Sequence, residues 1–508
     1  MPSRVPGKGR TPAPNRGPTR AAAPGGQVYI CGLGLRLPHL TIETLQALKS
    51  CRTVYHSFMD ERSAAHVRAL CPDLRDLRGL CDAYNSESIT RTVLSATAPG
   101  SAIAFLNYGH PLVFHGDVLV QSCKDGKAPY RIFPAVSSLD EILVAIGTPV
   151  MGEGLQILPS YELGKRRSLQ LLPFTPALIM SINHLWDPAA GGVKRFVKYL
   201  CRIYPASHPV LLVCCSNVTN NSALRRTTTL ARLAAELEKL TEPNRHTASL
   251  FIPSLEQAAA GSPGPARSDA HPKEQLLLCG LGPQLRHLTL ETLQALRKCD
   301  ALFHDFLDKK TAAYFKTVCP DLRDLRKICP KGGCEAMARA VLAAAVPGRL
   351  IAFLGSGHPM ATEGTAEVLL RRCAGEAIPF RAITALTALD EILVAVGIPA
   401  LSYGMQIYPA HVAAGPRAPL SQHSPAIILQ LNRLWESQGC GVEAFVGHLI
   451  KVYPPGFKIS LIRNSPAVNT PPLRTEMPLG ALAAALKKLH KDERPAAALF
   501  IPLAWPRS

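Results

Sequence analysis

The chain has 508 residues, 47% of them hydrophobic and 18% charged, and carries a formal net charge of +19. That length suits two to four domains with sizeable cores, and the apolar share excludes a wholly disordered chain. No run of 18 or more apolar residues occurs, which excludes a helical membrane span, and the charge favours an anionic partner without naming one.

Residues 1–26 come first. They carry Arg4, Lys8, Arg10, Arg16 and Arg20, no acid and no apolar stretch like that of a secretory signal. The composition predicts a disordered basic tail, with nucleic-acid contact or targeting as the alternative.

From Gln27 onward the chain is written twice. HLTIETLQAL at 39–48 returns as HLTLETLQAL at 287–296, and CPDLRDLR at 71–78 returns at 319–326. LDEILVA at 139–145 returns at 389–395, and LFIP at 250–253 returns at 499–502. The spacing stays within 248–250 residues, too long for a solenoid repeat. It predicts a duplicated domain: copy 1 over 27–255, copy 2 over 274–503, and a small, polar, Pro- and Gly-bearing linker at 256–273.

Each copy reads in the same order. A short apolar strand (28–31; 276–279) runs into Gly-Leu-Gly, and a helix opens at Thr41 or Thr289 with leucines at helical spacing. A second strand follows at 53–57 or 301–305, then helical stretches through CPDLRDLR. A third strand, 102–106 or 350–354, ends near Gly-His-Pro, and a fourth at 131–133 or 380–383 leads into the LDEILVA helix. Strands alternating with helices predict a mostly parallel sheet covered on both faces. Beyond it, ALIMSIN (177–183) and AIILQLN (426–432) read as strands. Helices end at Tyr204-Pro205 and Tyr453-Pro454, and VLLVCC (210–215), ISLI (459–462) and LFIP read as further strands. This second half predicts a mixed α/β lobe. The fold class is therefore α/β, with two tandem two-lobed copies.

The fifteen cysteines are odd in number and lack paired CxxC spacing, so no metal site is expected, and their apolar neighbours suit buried thiols of a reduced, cytoplasmic protein. Chemistry is suggested elsewhere. Gly32 and Gly34, like Gly280 and Gly282, follow a strand and allow a sharp turn or close ligand approach. The third glycine of a dinucleotide fingerprint is replaced by Leu37 and Leu285, which disfavours a nicotinamide site. Gly109-His110-Pro111 and Gly357-His358-Pro359 stand at the carboxyl end of a strand, where open α/β sheets bind ligands. Ser137 and Thr387 stand at matching strand-to-helix corners, as N-caps or ligand contacts.

Taken in order, GLGLRLPHLTIETLQAL, YGHPLVF, FPAVSSLDEIL, the stretch from Tyr204-Pro205 to Val210 and LFIP resemble the tetrapyrrole methylase superfamily, most closely its borosin-type peptide backbone N-methyltransferases. The resemblance covers 27–255 and, more loosely, 274–503. It implies S-adenosyl-L-methionine (SAM) folded between the lobes of each copy. On that alignment Gly32, Gly34, Tyr108, Gly109, His110, Val113, Ser137 and Ser249 would contact it in copy 1, and Gly280, Gly282, Gly357, His358, Thr387 and Gln430 in copy 2. Copy 2 has Ser356 where copy 1 has Tyr108, and copy 1 has Ser181 where copy 2 has Gln430. The Arg and Tyr pair of borosin enzymes is missing: its positions fall on Asp82 and Ser86, or Pro330 and Cys334, leaving the off-register Tyr84 and Arg91 as the nearest catalytic candidates. Family members pair as homodimers, so the copies are expected to pair within the chain as a pseudo-dimer. No substrate tail follows Leu503, so a peptide or small polar acceptor is expected in trans. A catalytically silent scaffold and an RNA methyltransferase, the latter favoured by the basic charge, are the rival readings.

Overall fold

The structure is a computed structural model. It describes residues 26–81, 85–113, 116–147, 152–163, 170–187, 192–217, 223–259, 274–361, 364–399, 404–415, 420–436, 439–463 and 472–504. The basic tail up to residue 25, Tyr84 and most of the expected linker lie outside these residues.

The first lobe of copy 1 contains β1 (Gln27–Gly32), α1 (Ile42–Ser50), β2 (Thr53–His56), α2 (Glu61–Arg68), β3 (Leu74–Asp76), α3 (Ser86–Ser95), β4 (Ala102–Asn107), α4 (Gly116–Asp125), β5 (Tyr130–Phe133) and α5 (Ser138–Ile146). Its second lobe contains β6 (Leu155–Pro159), β7 (Ala177–Met180), α6 (Gly192–Leu200), β8 (Pro209–Cys214), β9 (Leu224–Thr229), α7 (Leu230–Glu238), α8 (Glu242–Thr247), β10 (Ala248–Ile252) and α9 (Leu255–Ala259). Copy 2 repeats the plan with β11 (Leu276–Gly280), α10 (Leu290–Leu296), β12 (Ala301–His304), α11 (Lys309–Val318), β13 (Leu322–Asp324), α12 (Leu325–Ile328), α13 (Cys334–Ala344), β14 (Ile351–Gly355), α14 (Thr365–Gly375), β15 (Phe380–Ala382) and α15 (Ala388–Val396). Its second lobe follows with β16 (Met405–Pro409), α16 (Ala410–Ala413), β17 (Ala426–Leu429), α17 (Val442–Val452), β18 (Lys458–Arg463), β19 (Leu473–Pro478), α18 (Leu482–Lys487) and β20 (Ala497–Ile501).

The two first-lobe sheets are parallel throughout, ordered β3-β2-β4-β1-β5 and β13-β12-β14-β11-β15. Their central strands are apolar runs because helices cover both faces. Thr41 and Thr289 start α1 and α10 by accepting a hydrogen bond from the amide three residues on. Ser137 with Asp140, and Thr387 with Asp390, form capping boxes on α5 and α15.

The second lobes do not form separate sheets. They merge into one ten-stranded mixed sheet, β19-β18-β20-β17-β16-β6-β7-β10-β8-β9, closed at its middle by antiparallel β6 and β16. Gln156 and Gln406 face each other in that register. One core cluster runs through both copies, joining Leu155, Ile157 and Leu178 to Met405, Ile407 and Ile427. At the first lobes, Ile42 N donates to Leu288 O (3.0 Å) and Leu290 N to Leu40 O (2.9 Å). Arg36 pairs with Glu291 at 2.9 Å, and Arg286 with Glu43 at 3.5 Å. Burial pushes the Glu291 pKa up, but the bond and charge of His39 and the charge of Arg36 outweigh it and hold it at about 2.

Four expectations need correction. LRD within CPDLRDLR is not helical: residues 74–76 and 322–324 are short edge strands paired with β2 and β12, ended by Asp76 and Asp324 capping the next turn. The strands read into SIN and QLN stop at Met180 and Leu429, because Ser181 and Gln430 take left-handed backbone conformations (φ 57° and 54°). Strands β9 and β19 were not expected at all: both are polar hairpin partners at the sheet's edges, with no alternating apolar face to read. Residues 256–259 of the expected linker belong to α9, whose first amide donates to Pro173 O (2.9 Å).

Candidate cofactor clefts

In each copy the Gly-x-Gly loop and the Gly-His-Pro loop meet at the carboxyl edge of the parallel sheet. Gly109 N donates to Gly34 O at 3.0 Å; Gly357 and Gly282 exchange two such bonds at 3.1 and 3.2 Å. The loops touch so closely that a Cβ on Gly32 would fall 2.4 Å from Gly109 O, and one on Gly280 2.2 Å from Gly357 O. These glycines are required by loop-on-loop packing, and they bring backbone to the lip of the cleft between the lobes.

His110 and His358 are fully buried, and their Nδ1 atoms accept from the amides of Leu112 and Met360 (3.1 Å each). Nε2 of His358 donates to Asp140 O of the other copy at 3.0 Å. His110 faces the Asp390 backbone across the same junction, with Nε2 outside hydrogen-bonding geometry. Burial lowers both imidazoles to about 3, so both are neutral. Ser137 and Thr387 spend their hydroxyls on Asp140 and Asp390 as caps. Val113 and Ser137 border a narrow apolar cavity whose other wall includes Leu389, Leu393 and Met405 of copy 2. Ser249 is buried on β10 opposite Val213, and Arg91 is exposed on α3.

The two clefts differ. In copy 1 the Tyr108 hydroxyl donates to Ser216 O at 2.9 Å, Ser216 N donates to Glu141 Oε2 at 2.5 Å, and the Ser216 hydroxyl also bonds Glu141. Cys215 Sγ adds a contact to Ser138 O at 3.7 Å. Phe58 packs edge-on against Tyr108, with ring centroids 5.8 Å apart. The turn after β8 is thus tied to the mouth of the first lobe. Burial, and then the negative potential of Cys215 and Glu141, push the Tyr108 phenol up, so it stays a donor.

In copy 2 the position of Tyr108 is Ser356, which is exposed, and Gly357 behind it is half-buried. Glu391, the counterpart of Glu141, turns instead to Arg286 (3.4 Å) and His287 (3.6 Å). Gln430 holds its strained left-handed backbone at the end of β17, and its buried Oε1 has no hydrogen-bond partner. A non-glycine residue in that conformation persists where the surroundings or a function demand it, and a buried amide oxygen left unpaired is a vacancy for a ligand N–H or O–H. Copy 1 likewise has buried polar atoms without a hydrogen-bond partner, Asn107 Nδ2 and His110 Nε2, so the polar groups present in both copies fit a polar cofactor.

Reading residue by residue missed a further cluster. At the carboxyl ends of β12 and β14, Asp305 accepts a hydrogen bond from the Thr365 hydroxyl (2.8 Å) beside Gly355 and Met337. Copy 1 has Ser57 at the place of Asp305 and Asn107 at that of Gly355. Only the register of the two copies could have flagged it, because an isolated Asp after a strand carries no signal. Among the described residues no group of three or more His, Cys, Asp or Glu is placed to hold a metal, and no helix is long and apolar enough to cross a membrane.

No curated protein sequence matches the chain. Among solved structures, uroporphyrin-III C-methyltransferase from Thermus thermophilus is 19% identical with a TM-score of 0.34, covering 47% of this chain and 97% of its own. Its complex with S-adenosylhomocysteine is 20% identical (TM-score 0.32; 46% and 93% covered). A cobalt precorrin-4 methyltransferase is 14% identical (TM-score 0.34; 46% and 99% covered). The sequence profile of the Tetrapyrrole (Corrin/Porphyrin) Methylases matches twice, at residues 27–234 and 275–408, together more than half of the chain. Two parallel first lobes, each with bridged glycine loops facing a mixed second lobe, carry that profile, and the chain belongs to the tetrapyrrole methylase family.

Proposed function

We propose that the chain is a SAM-dependent methyltransferase acting on a peptide or other polar acceptor supplied by a second molecule. The observation that carries this reading is the bridged pair of glycine loops at the carboxyl edge of a parallel sheet, in a member of this family. The two domains are taken as 27–255 and 274–503, a duplication paired as a pseudo-dimer within one polypeptide, closest in its loop motifs to the borosin-type enzymes.

SAM, when bound, supplies a methyl group on an already activated sulfonium. The protein is then left with positioning. The glycine loops would hold the cofactor against the sheet edge, and Gln430 Oε1 would accept one of its donors. The acceptor has to be held in line with the methyl group and out of bulk water. Asp305, half-buried beside Gly355, can accept a hydrogen bond or a proton from an acceptor N–H or O–H as the new bond forms. A silent scaffold is the second reading, favoured by the internal ties across the copy 1 cleft.

Calorimetric titration of the full chain with S-adenosylhomocysteine tests the proposal. Saturable binding is expected. No binding, in calorimetry at two temperatures and in equilibrium dialysis alike, would leave the scaffold reading.

A further inference from the structure

We infer that the outer face of the second lobe of copy 1, carried by α6 and the turn after it, is a docking surface for a polynucleotide, held through its phosphates. The surface is independent of the clefts and of what they methylate.

Helix α6 lies on the side of the ten-stranded sheet turned away from the first lobes. Leu178 and Met180 of β7 join the core shared with those lobes. Ala177 and Ile179 join a separate core on the other side, where Val193, Phe196 and Leu200 of α6 pack. Lys194, Arg195, Lys198 and Arg202 are all exposed. At 3.6 residues per turn they fall within about 100° of arc, opposite the buried side. Ala231 N donates to Ala206 O at 2.8 Å, which brings the start of α7, with exposed Arg232, to the turn after α6. Among the described residues none of these five side chains is paired with a carboxylate. Helix α6 and its turn contain no acid. On α7, Glu236 is taken by Arg226 and Lys239, and Glu238 lies about 120° round the helix from Arg232. The parts of this lobe outside the described residues (148–151, 164–169, 188–191 and 218–222) contain no acid either.

Copy 2 shows that the fold does not ask for this charge. GVKRFVKYLCRIYP at 192–205 corresponds to GVEAFVGHLIKVYP at 441–454. The residues that pack or end the helix are the same in both. Lys194, Arg195 and Lys198 become Glu443, Ala444 and Gly447, and Arg232 becomes Ala481. Glu443 is itself paired with Lys487. A row of cations that packing does not need and no anion offsets attracts a polyanion. Lys194, Lys198 and Arg202 recur every four residues, about 6 Å along the axis, and a regular row of cations suits a regularly charged phosphate chain. An anionic membrane fits less well, because the apolar side of α6 is spent on the lobe core and is not there to enter lipid.

The test uses the full chain and a fluorescein-labelled RNA of about 20 nucleotides, read by anisotropy between about 50 and 200 mM salt. Saturable binding by the parent is expected. Lys194→Glu/Arg195→Ala/Lys198→Ala should weaken it about tenfold or more and flatten the slope of log affinity against log salt by about 2, the loss of three contacts to a single strand. Arg297→Ala/Lys298→Ala/Lys316→Glu makes the same change in net charge at exposed positions of the first lobe of copy 2, and should bind within about threefold of the parent. Both variants should keep the parent's Tm within a few degrees, since the substituted side chains are exposed. The basic tail is present in all three proteins and cannot separate them. No binding by the parent at the lowest salt would overturn the inference. Equal losses in the two variants would trace binding to net charge and overturn it as well. Polyglutamate of the same length held more tightly than the RNA would make the partner an acidic protein instead.

Discussion

Asp140 and Asp390 are each the third residue of a capped helix, and each carboxylate accepts from the cap residue's amide and hydroxyl. Pairing the copies brings the two carboxyls together in a dry junction, both nearly inaccessible to solvent. The groups facing them are Ser137, Thr387, the ring of His358 on Asp140 O, and the ring of His110 toward the Asp390 backbone. Both rings are neutral, so no cation offsets the pair. Burial pushes Asp140 up to about 7, and burial together with the neighbouring Asp140 pushes Asp390 well above the ordinary range. The sign follows from linkage: the folded state holds protons that the unfolded chain releases from about pH 4 upward, so stability falls as pH rises through 7 and beyond. The slope is about 1.4 kcal/mol per pH unit for each retained proton. Asp140→Asn keeps a side-chain oxygen for the cap and removes one acid. Guanidinium unfolding at pH 6 and pH 9 should show a smaller loss on raising the pH for the variant than for the parent. Equal losses would mean that the pair does not titrate in this range.

At the scale of elements, the join between β6 and β16 depends on two buried glutamines. Gln156 Nε2 donates to Leu172 O (3.0 Å) and Thr175 O (3.1 Å), and its Oε1 accepts from Leu172 N (3.1 Å). Gln406 repeats this with Ser421 and Ser424. Each holds the loop entering the next strand, at the centre of the ten-stranded sheet. Gln156→Ala leaves Leu172 N and Thr175 O unpaired, while Leu172 O keeps its bond from Thr175 N (3.3 Å), and should cost about 2–4 kcal/mol in chemical denaturation; a loss below about 1 kcal/mol would show that water replaces the amide. These glutamines lie in strands that were not read from the sequence, and nothing in GLQILP or GMQIYP tells that the two strands pair with each other. The parallel first lobes were legible because apolar runs alternate with capped helices. The polar strands β9 and β19 were not, because hairpin edges gain their bonds from a neighbour rather than from a buried face. The loops of the clefts were legible as motifs. The tie from Tyr108 to Ser216 spans 108 residues and was not, and Asp305 emerges only when the copies are laid in register.

For the whole molecule, the division into two sequence repeats does not coincide with a division into two bodies. Half of the central sheet comes from each copy, and a shared apolar core lies beneath it. The cross-pairs are reciprocal: Arg36 of copy 1 on Glu291, Arg286 of copy 2 on Glu43. A copy on its own would expose the edge of β6 or β16 and the apolar residues packed against it, a surface that invites pairing or aggregation. The covalent link contributes mainly by raising the effective concentration of one half for the other, whereas the seam itself is made of strand pairing, buried side chains and ion pairs. Residues 1–259 and 260–508 produced as two polypeptides in one cell should therefore copurify in equal amounts through a tag on either half and elute as a single species. Each half produced alone should self-associate or fall into the insoluble fraction. Two halves that remain separate, soluble monomers would show that the seam contributes little. The long central sheet would then be a consequence of the linker rather than the reason the two copies stay together.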